Sequence, residues 1–288
     1  MLVDTHCHIH DQGTYNFAFS RQQISKKFLQ KYPDFPHTPA DFTPEKIIAR
    51  AHENDVKQMI CVSTSYPDAK SAAEFAKKYQ PEGIFWALGI HPDEAEQLTD
   101  HLEDTIAKLK SLAIDPNLPN PVAIGEIGLD YRAGPPRPGV SERSAQIRLL
   151  EQQLQLASDL KLPVIFHVRD AFSDFFAVIK NFPSVSGVVH SFSDSKENLD
   201  RSLSQGFFIG VNGLVTFAPE IPLPPLDRAL LETDAPFLTP APFRGKINES
   251  AQVKTVCQYL SGVLDLSETE VERITTENAR KLFRLPRI

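Results

Sequence analysis

Eight short apolar runs, separated for the most part by segments of helical character, constrain the fold of this chain more than any other feature. They cover residues 2–8, 57–63, 83–89, 121–126, 163–167, 186–190, 206–210 and 228–234. Runs of this length, rich in Val, Ile, Leu and Phe, read as buried strands. The clearest helical segment is 141–160, where Ile147, Leu150, Leu154 and Ala157 recur at helical spacing. Ser141-Glu142-Arg143-Ser144 offers its start. Strands alternating with helices predict an α/β fold with a parallel sheet, here a (β/α)8 (TIM) barrel. A length of 288 residues suits one such domain spanning 1–288. Neither a second domain nor an internal repeat is evident.

Two regions break the alternation. Residues 12–42 form an insertion after the first strand, too long for an ordinary βα connection. Its aromatic residues, among them Tyr15, Phe17, Phe28, Tyr32 and Phe35, argue against plain disorder. It is either a lid, wall or docking surface near the first strand's end, or an ornament packed on the barrel side. Residues 215–227 carry Pro219, Pro222, Pro224 and Pro225, so the helix between strands seven and eight is expected to be missing or reduced to a turn.

The first strand ends in Asp4-Thr5-His6-Cys7-His8. Side chains alternate along a strand, so His6 and His8 point one way and Cys7 the other. Catalytic groups of such barrels come from the C-terminal ends of several strands. By that rule Glu126 ends the fourth strand, His167 the fifth, His190 the sixth and Asp234 the eighth. Four imidazoles and two carboxylates at one rim suit zinc, manganese or a similar ion, with positions left for water and substrate. One carboxylate can bridge two ions, and two ions acidify a water and clamp the oxygens of a displacement. A further carboxylate can accept the water's proton.

Bulk properties narrow the partners. The net charge of −7 argues against a protein that grips phosphates by electrostatics alone, though not against one that grips them with bound cations. Three cysteines (Cys7, Cys61, Cys257) without C-x-x-C spacing make no disulfide framework and suit a reducing compartment. No apolar run reaches the length of a membrane span, and no signal peptide precedes the first motif. A cytoplasmic enzyme with no membrane association is the expectation.

Six ordered blocks carry a resemblance. These are 4–8 (DTHCH), 89–92 (GIHP), 125–131 (GEIGLDY), 166–171 (FHVRDA), 190–193 (HSFS) and 232–236 (ETDAP). Together with Asn278-Ala279-Arg280-Lys281-Leu282-Phe283 they resemble the signature blocks of the TatD-type metal-dependent hydrolases, TIM-barrel relatives of the amidohydrolases that include deoxyribonucleases. The resemblance implies that His6 and His8 bind a first metal, that Glu126 bridges two, and that His167 and His190 bind the second. It implies that Asp234 binds the first metal and acts as general base. It places His91 and Arg169 in the substrate pocket, where Arg169 either steadies a phosphate oxygen or forms a rim salt bridge. Tyr131 and Phe192 either stack on a base or sugar or serve as loop packing.

Three departures from the family pattern leave the metal ligands intact and bear on the substrate. Two are the regions at 12–42 and 215–227, each a surface open to a protein partner. The third is 244–250, where the family usually has prolines at the Ile247 and Ser250 positions. Arg244 and Lys246 there either contact phosphate or belong to a solvated loop. The leading expectation is a hydrolase using two divalent ions (Zn, Mg or Mn) to cut DNA phosphodiesters by an activated water, as a 3′–5′ exonuclease on single strands. The alternatives are the same site acting on a small ester, lactone, amide or phosphoester, and a metal-bound scaffold or binding protein.

Overall fold

The computed structural model describes residues 1–22, 24–132 and 143–287. Among the described residues eight strands run in chain order, each parallel to the next. They are β1 (Leu2–Cys7), β2 (Val56–Val62), β3 (Ile84–Leu88), β4 (Ala123–Asp130), β5 (Val164–Arg169), β6 (Gly187–Val189), β7 (Phe208–Val211) and β8 (Ala229–Leu231). The barrel closes just past β8. There Asp234 N–H donates to His6 O at 2.8 Å, and His8 N–H to Ala235 O at 2.8 Å.

Each strand contributes to an inner apolar cluster that includes Val3, Ile60, Ala87, Ala123, Ile165, Val188, Phe208 and Leu230. This filled interior is a core and not a pore. The helices cover the outside. In the β1–β2 connection lie α1 (Gln12–Arg21), α2 (Lys26–Lys31) and α3 (Pro44–Glu53). The next crossovers carry α4 (Tyr66–Tyr79), α5 (Leu102–Ala113), α6 (Arg143–Leu160), α7 (Phe172–Ile179) and α8 (Lys196–Ser204). Residues α9 (Val253–Leu264) and α10 (Glu268–Phe283) follow β8, and Ala279, Leu282 and Phe283 of α10 join the inner cluster. Ser141 and Glu142, read as the start of the longest crossover helix, lie outside the described residues. No helix among the described residues is long and apolar enough to cross a membrane.

Between β7 and β8 the described residues hold two 3-10 turns, Gly213–Thr216 and Leu226–Arg228, in place of a helix. The prolines account for this, since each lacks the N–H a helix needs. The insertion is ordered. Asp11 caps α1 by accepting from Gly13 N and Thr14 N, and Tyr15 is buried against Phe42. Phe28, Tyr32 and Phe35 gather around Phe243 of the loop after β8, the last two with ring centres 5.1 Å from it.

Several strand ends differ from the sequence expectation: β5 runs past His167 to Arg169, β6 stops at Val189 just before His190, and β8 stops at Leu231, short of Asp234. β4 does not end at Glu126 but continues to Asp130. Its pairing with β5 shifts register between Ile124 and Ile127 and then resumes as far as Asp130 opposite Arg169. Gly128 is what allows the strand to continue. A Cβ there would stand 1.7 Å from His167 O, so only glycine lets β4 approach β5 so closely.

Candidate metal centre

The register of β1 shifts between Asp4 and Cys7. Past that irregularity Cys7 packs in the outer core, while His6 and His8 turn to the opposite face. His8 Nδ1 donates to Val62 O at 2.8 Å, which leaves Nε2 as the nitrogen aimed at the site. His6 Nε2 lies 3.3 Å from His8 Nε2, 3.5 Å from Glu126 Oε2 and 3.6 Å from Asp234 Oδ1. His8 Nε2 lies 3.4 Å from the same Asp234 oxygen.

The other oxygen of Glu126 faces a second pair. Oε1 is 2.7 Å from His167 Nδ1 and 2.8 Å from His190 Nε2. Those two nitrogens are 3.2 Å apart. Glu126 therefore turns one oxygen toward His6, which stands beside His8, and the other to His167 and His190. His167 Nε2 donates to Asp130 Oδ2 at 3.1 Å, which orients the ring. A histidine held from behind by a carboxylate is the usual arrangement of an imidazole ligand.

The electrostatics follow from this crowding. Burial, with the neighbouring His190 charge, pushes His6 down to about 4. Burial also opposes charge on His8, but the hydrogen bond and charge of Asp234 outweigh it and lift this imidazole to about 9. In the same way Asp130 and Glu126 overcome burial and lift His167 to about 9. Burial would raise Glu126, yet the charge of His190 and the hydrogen bonds of His167, His190 and His6 hold it well below the usual carboxylate range. Asp234 is likewise held below its ordinary value, against burial, by His8 and His6. Carboxylates kept ionised among imidazoles whose nitrogens converge are a donor set that fits divalent cations. Two of the residue groups whose ligand atoms lie close enough to hold an ion are His6-His8-Glu126 and Glu126-His167-His190.

Several residues lie behind or beside these side chains. Gln146 and Gln153 sit seven residues apart on the buried face of α6. Gln146 accepts from Asp130 N at 2.9 Å and donates to Asp130 O at 3.1 Å. Gln153 accepts from Ile90 N at 2.8 Å and donates to Ile90 O at 3.0 Å. One helix thus pins the backbone of Asp130 and of the residue before His91. His91 Nδ1 accepts from Asp93 N at 3.1 Å, so Nε2 carries the proton. Burial and the charge of His167 push His91 down to about 4. Glu232 is fully buried beside His190, accepts from Ser191 N at 2.6 Å, and is lifted to about 7 by burial. Gly210 makes its room, since a Cβ there would stand 2.3 Å from Glu232 Oε2.

The expected site residues separate into two sets. His8, Glu126, His167, His190 and Asp234 line one cavity of about 1220 Å³ at the C-terminal end of the barrel, together with His91 and Arg169. His6 is fully buried at its floor. The remaining three stand elsewhere. Tyr131 hydroxyl donates to Asp174 Oδ2 at 3.0 Å, beneath the Arg143 guanidinium. Phe192 is buried against Phe172 with ring centres 5.6 Å apart. Arg244 lies over the Phe217 ring at 4.2 Å and lines a neighbouring groove. Asp130, Asp93, Gln146, Gln153 and Glu232 escaped the sequence reading, as did Arg132, which lines the cavity and donates from Nε to the two Asp130 oxygens at 3.2 and 3.1 Å. Asp130 carried a signal, because four residues along one strand put it on the face of Glu126.

The TatD-related DNase family profile matches residues 3–284. The chain belongs to this family of metal-dependent hydrolases. An uncharacterized metal-dependent hydrolase of Bacillus subtilis, YabD, is 35% identical over 252 residues, covering 84% of this chain and 92% of that one. A protein of Erwinia billingiae named 3′-5′ ssDNA/RNA exonuclease TatD is 33% identical over 255 residues, with 84% and 93% covered. The crystal structure of the Escherichia coli TatD homolog YJJV superposes with a TM-score of 0.76 at 28% identity, over 99% of this chain and 98% of the other. For a TatD-family chain the placement of Glu126 between His6 on one side and His167 and His190 on the other agrees with metal dependence.

Proposed function

We propose that this protein is a nuclease that hydrolyses phosphodiester bonds of single-stranded DNA, releasing nucleotides from the 3′ end, with two divalent cations of the zinc, magnesium or manganese kind. The observation that carries the reading is the placement of Glu126, with one oxygen 3.5 Å from His6 and the other 2.7 and 2.8 Å from His167 and His190. One cation would be held by His6, His8, Asp234 and Glu126, the other by His167, His190 and Glu126. The name of the Erwinia relative supports the polarity and the single-stranded substrate. When bound, the cations supply Lewis-acid charge to the phosphoryl oxygens and acidify the attacking water.

The chain's own groups do the rest. Asp234, ionised at neutral pH, accepts the proton of the attacking water at its carboxylate. Asp130 holds the His167 ring and Gln146 holds Asp130, so that pair is pre-oriented. His91 offers Nε2–H to a phosphate oxygen as a neutral donor. Arg169, at the end of β5, supplies the positive charge the cavity needs beside its carboxylates. The test is release of nucleotides from an end-labelled single-stranded oligonucleotide with magnesium or manganese. Protein with both ions bound that releases none contradicts the reading.

A further inference from the structure

A second groove, of about 470 Å³, opens beside the metal cavity. Leu214, Phe237 and Leu238 line both, so the two are continuous. One wall comes from α1 of the insertion, through Phe17 and Arg21, and the other from the loops after β7 and β8. Its chemistry differs from the cavity's. Three cations line it, and each lies near an aromatic ring. The Arg21 guanidinium is 4.4 Å from the centre of Phe17, Arg244 4.2 Å from Phe217, and Lys246 5.0 Å from Phe28. No carboxylate is among its described lining residues. In a chain of net charge −7 this is a local reversal of sign.

The same place gathers the chain's exposed rings. Among the described large apolar side chains that stand exposed, the two aromatic ones are Phe17, at 50%, and Phe237, at 40%, and both line this groove. The wall is fixed. Gln22 Oε1 accepts from Ile247 N at 2.8 Å, and the ring cluster around Phe243 ties α2 to the same loop.

We infer that this groove is a binding site for the single-stranded nucleic acid that extends from the scissile phosphodiester, its bases stacking on Phe17 and Phe237 and its phosphates meeting Arg21. The inference rests on the nuclease reading. Exposed rings interleaved with cations are the chemistry that holds single strands without reading sequence. A duplex keeps its bases stacked on each other and offers those rings nothing.

The test uses the full chain with its metals bound, a dinucleotide and an oligothymidylate of about ten nucleotides, the length of a typical stacking groove's site. Phe17→Ala is expected to raise KM for the longer substrate by about tenfold, the loss of one stacked base, and to leave dinucleotide turnover unchanged. Arg21→Ala is expected to flatten the slope of log KM against log salt by about 0.7 for the longer substrate, the share of one phosphate contact. Unchanged KM for the longer substrate in both variants overturns the groove and spares the nuclease reading. Parent protein that cleaves neither substrate overturns both. If Phe17→Ala shifts the oligomeric state in sedimentation and leaves KM alone, the groove is a contact between copies of the chain and the inference fails.

Discussion

The metal-facing rim and the insertion-built groove lie side by side, yet they are made in opposite ways. The rim's side chains come from within β1, β4 and β5 or from just beyond β1, β6 and β8, and the barrel's hydrogen-bonded register fixes where each one points. Its groups are buried and mutually charged, so each holds its neighbours' protonation. The groove is assembled from α1 and the loops after β7 and β8. Its rings are half-exposed, and cation–ring contacts set its character. The difference suggests a division of labour, with the rim fixing the chemistry and the groove tuning which chain length the chemistry acts on. Substitutions in the rim are therefore expected to alter turnover on every substrate, and substitutions around the groove to alter discrimination.

The largest effect is expected at Asp234, proposed both to hold a cation and to accept the water's proton. Asp234→Asn keeps the shape and removes the proton acceptor, so kcat is expected to fall by about 10²–10⁴, with the circular dichroism of the parent. Near-parental kcat would erase the distinction between this carboxylate and an ordinary rim residue. One step back from the ligands, Asp130→Ala frees the His167 ring. Metal affinity, measured by competition with a chelator, is expected to drop about 10–100-fold. Affinity equal to the parent's would mean the Asp130–His167 bond positions nothing.

Further out, Gln146→Ala leaves the N–H and C=O of Asp130 buried without their side-chain partner. A loss of about 1–3 kcal/mol in stability is expected by denaturant titration, together with a weaker form of the Asp130→Ala phenotype. A stability loss with unchanged metal affinity would confine Gln146 to the scaffold. The smallest effect is expected on the groove side. Phe243→Ala removes the hub of the Phe28-Tyr32-Phe35 cluster and is expected to cost about 1 kcal/mol. Proteolysis of the insertion should quicken while dinucleotide turnover stays level. A fall in dinucleotide turnover equal to that on long substrates would blur the boundary between the two regions.

The rim was more legible than the groove, and the reason is physical. His6, His8, His167, His190 and Asp234 stand at or next to the ends of apolar runs, and strand alternation turns such positions into directions. The missing helix at 215–227 was legible because proline has one meaning in a helix. Asp130 was lost with the end of β4. The role of Gly128 depends on how close His167 O lies across the sheet, a contact far away in sequence. Gln146 and Gln153 showed only as polar residues on a helix, since nothing in 141–160 says that a glutamine meets a strand's backbone. The 12–42 excursion was visible as aromatic and ordered. That it packs on the loop after β8, and sets Phe17 and Arg21 beside Arg244 and Lys246, depends on tertiary contacts that no local pattern encodes.

The central claim is that one carboxylate, Glu126, serves two metal positions at once. Elemental analysis of purified protein tests it most directly, read beside Glu126→Ala prepared and loaded identically. The account predicts two divalent ions per chain in the parent and the loss of at least one in the variant, with turnover lost alongside. Two ions still bound to Glu126→Ala would contradict it.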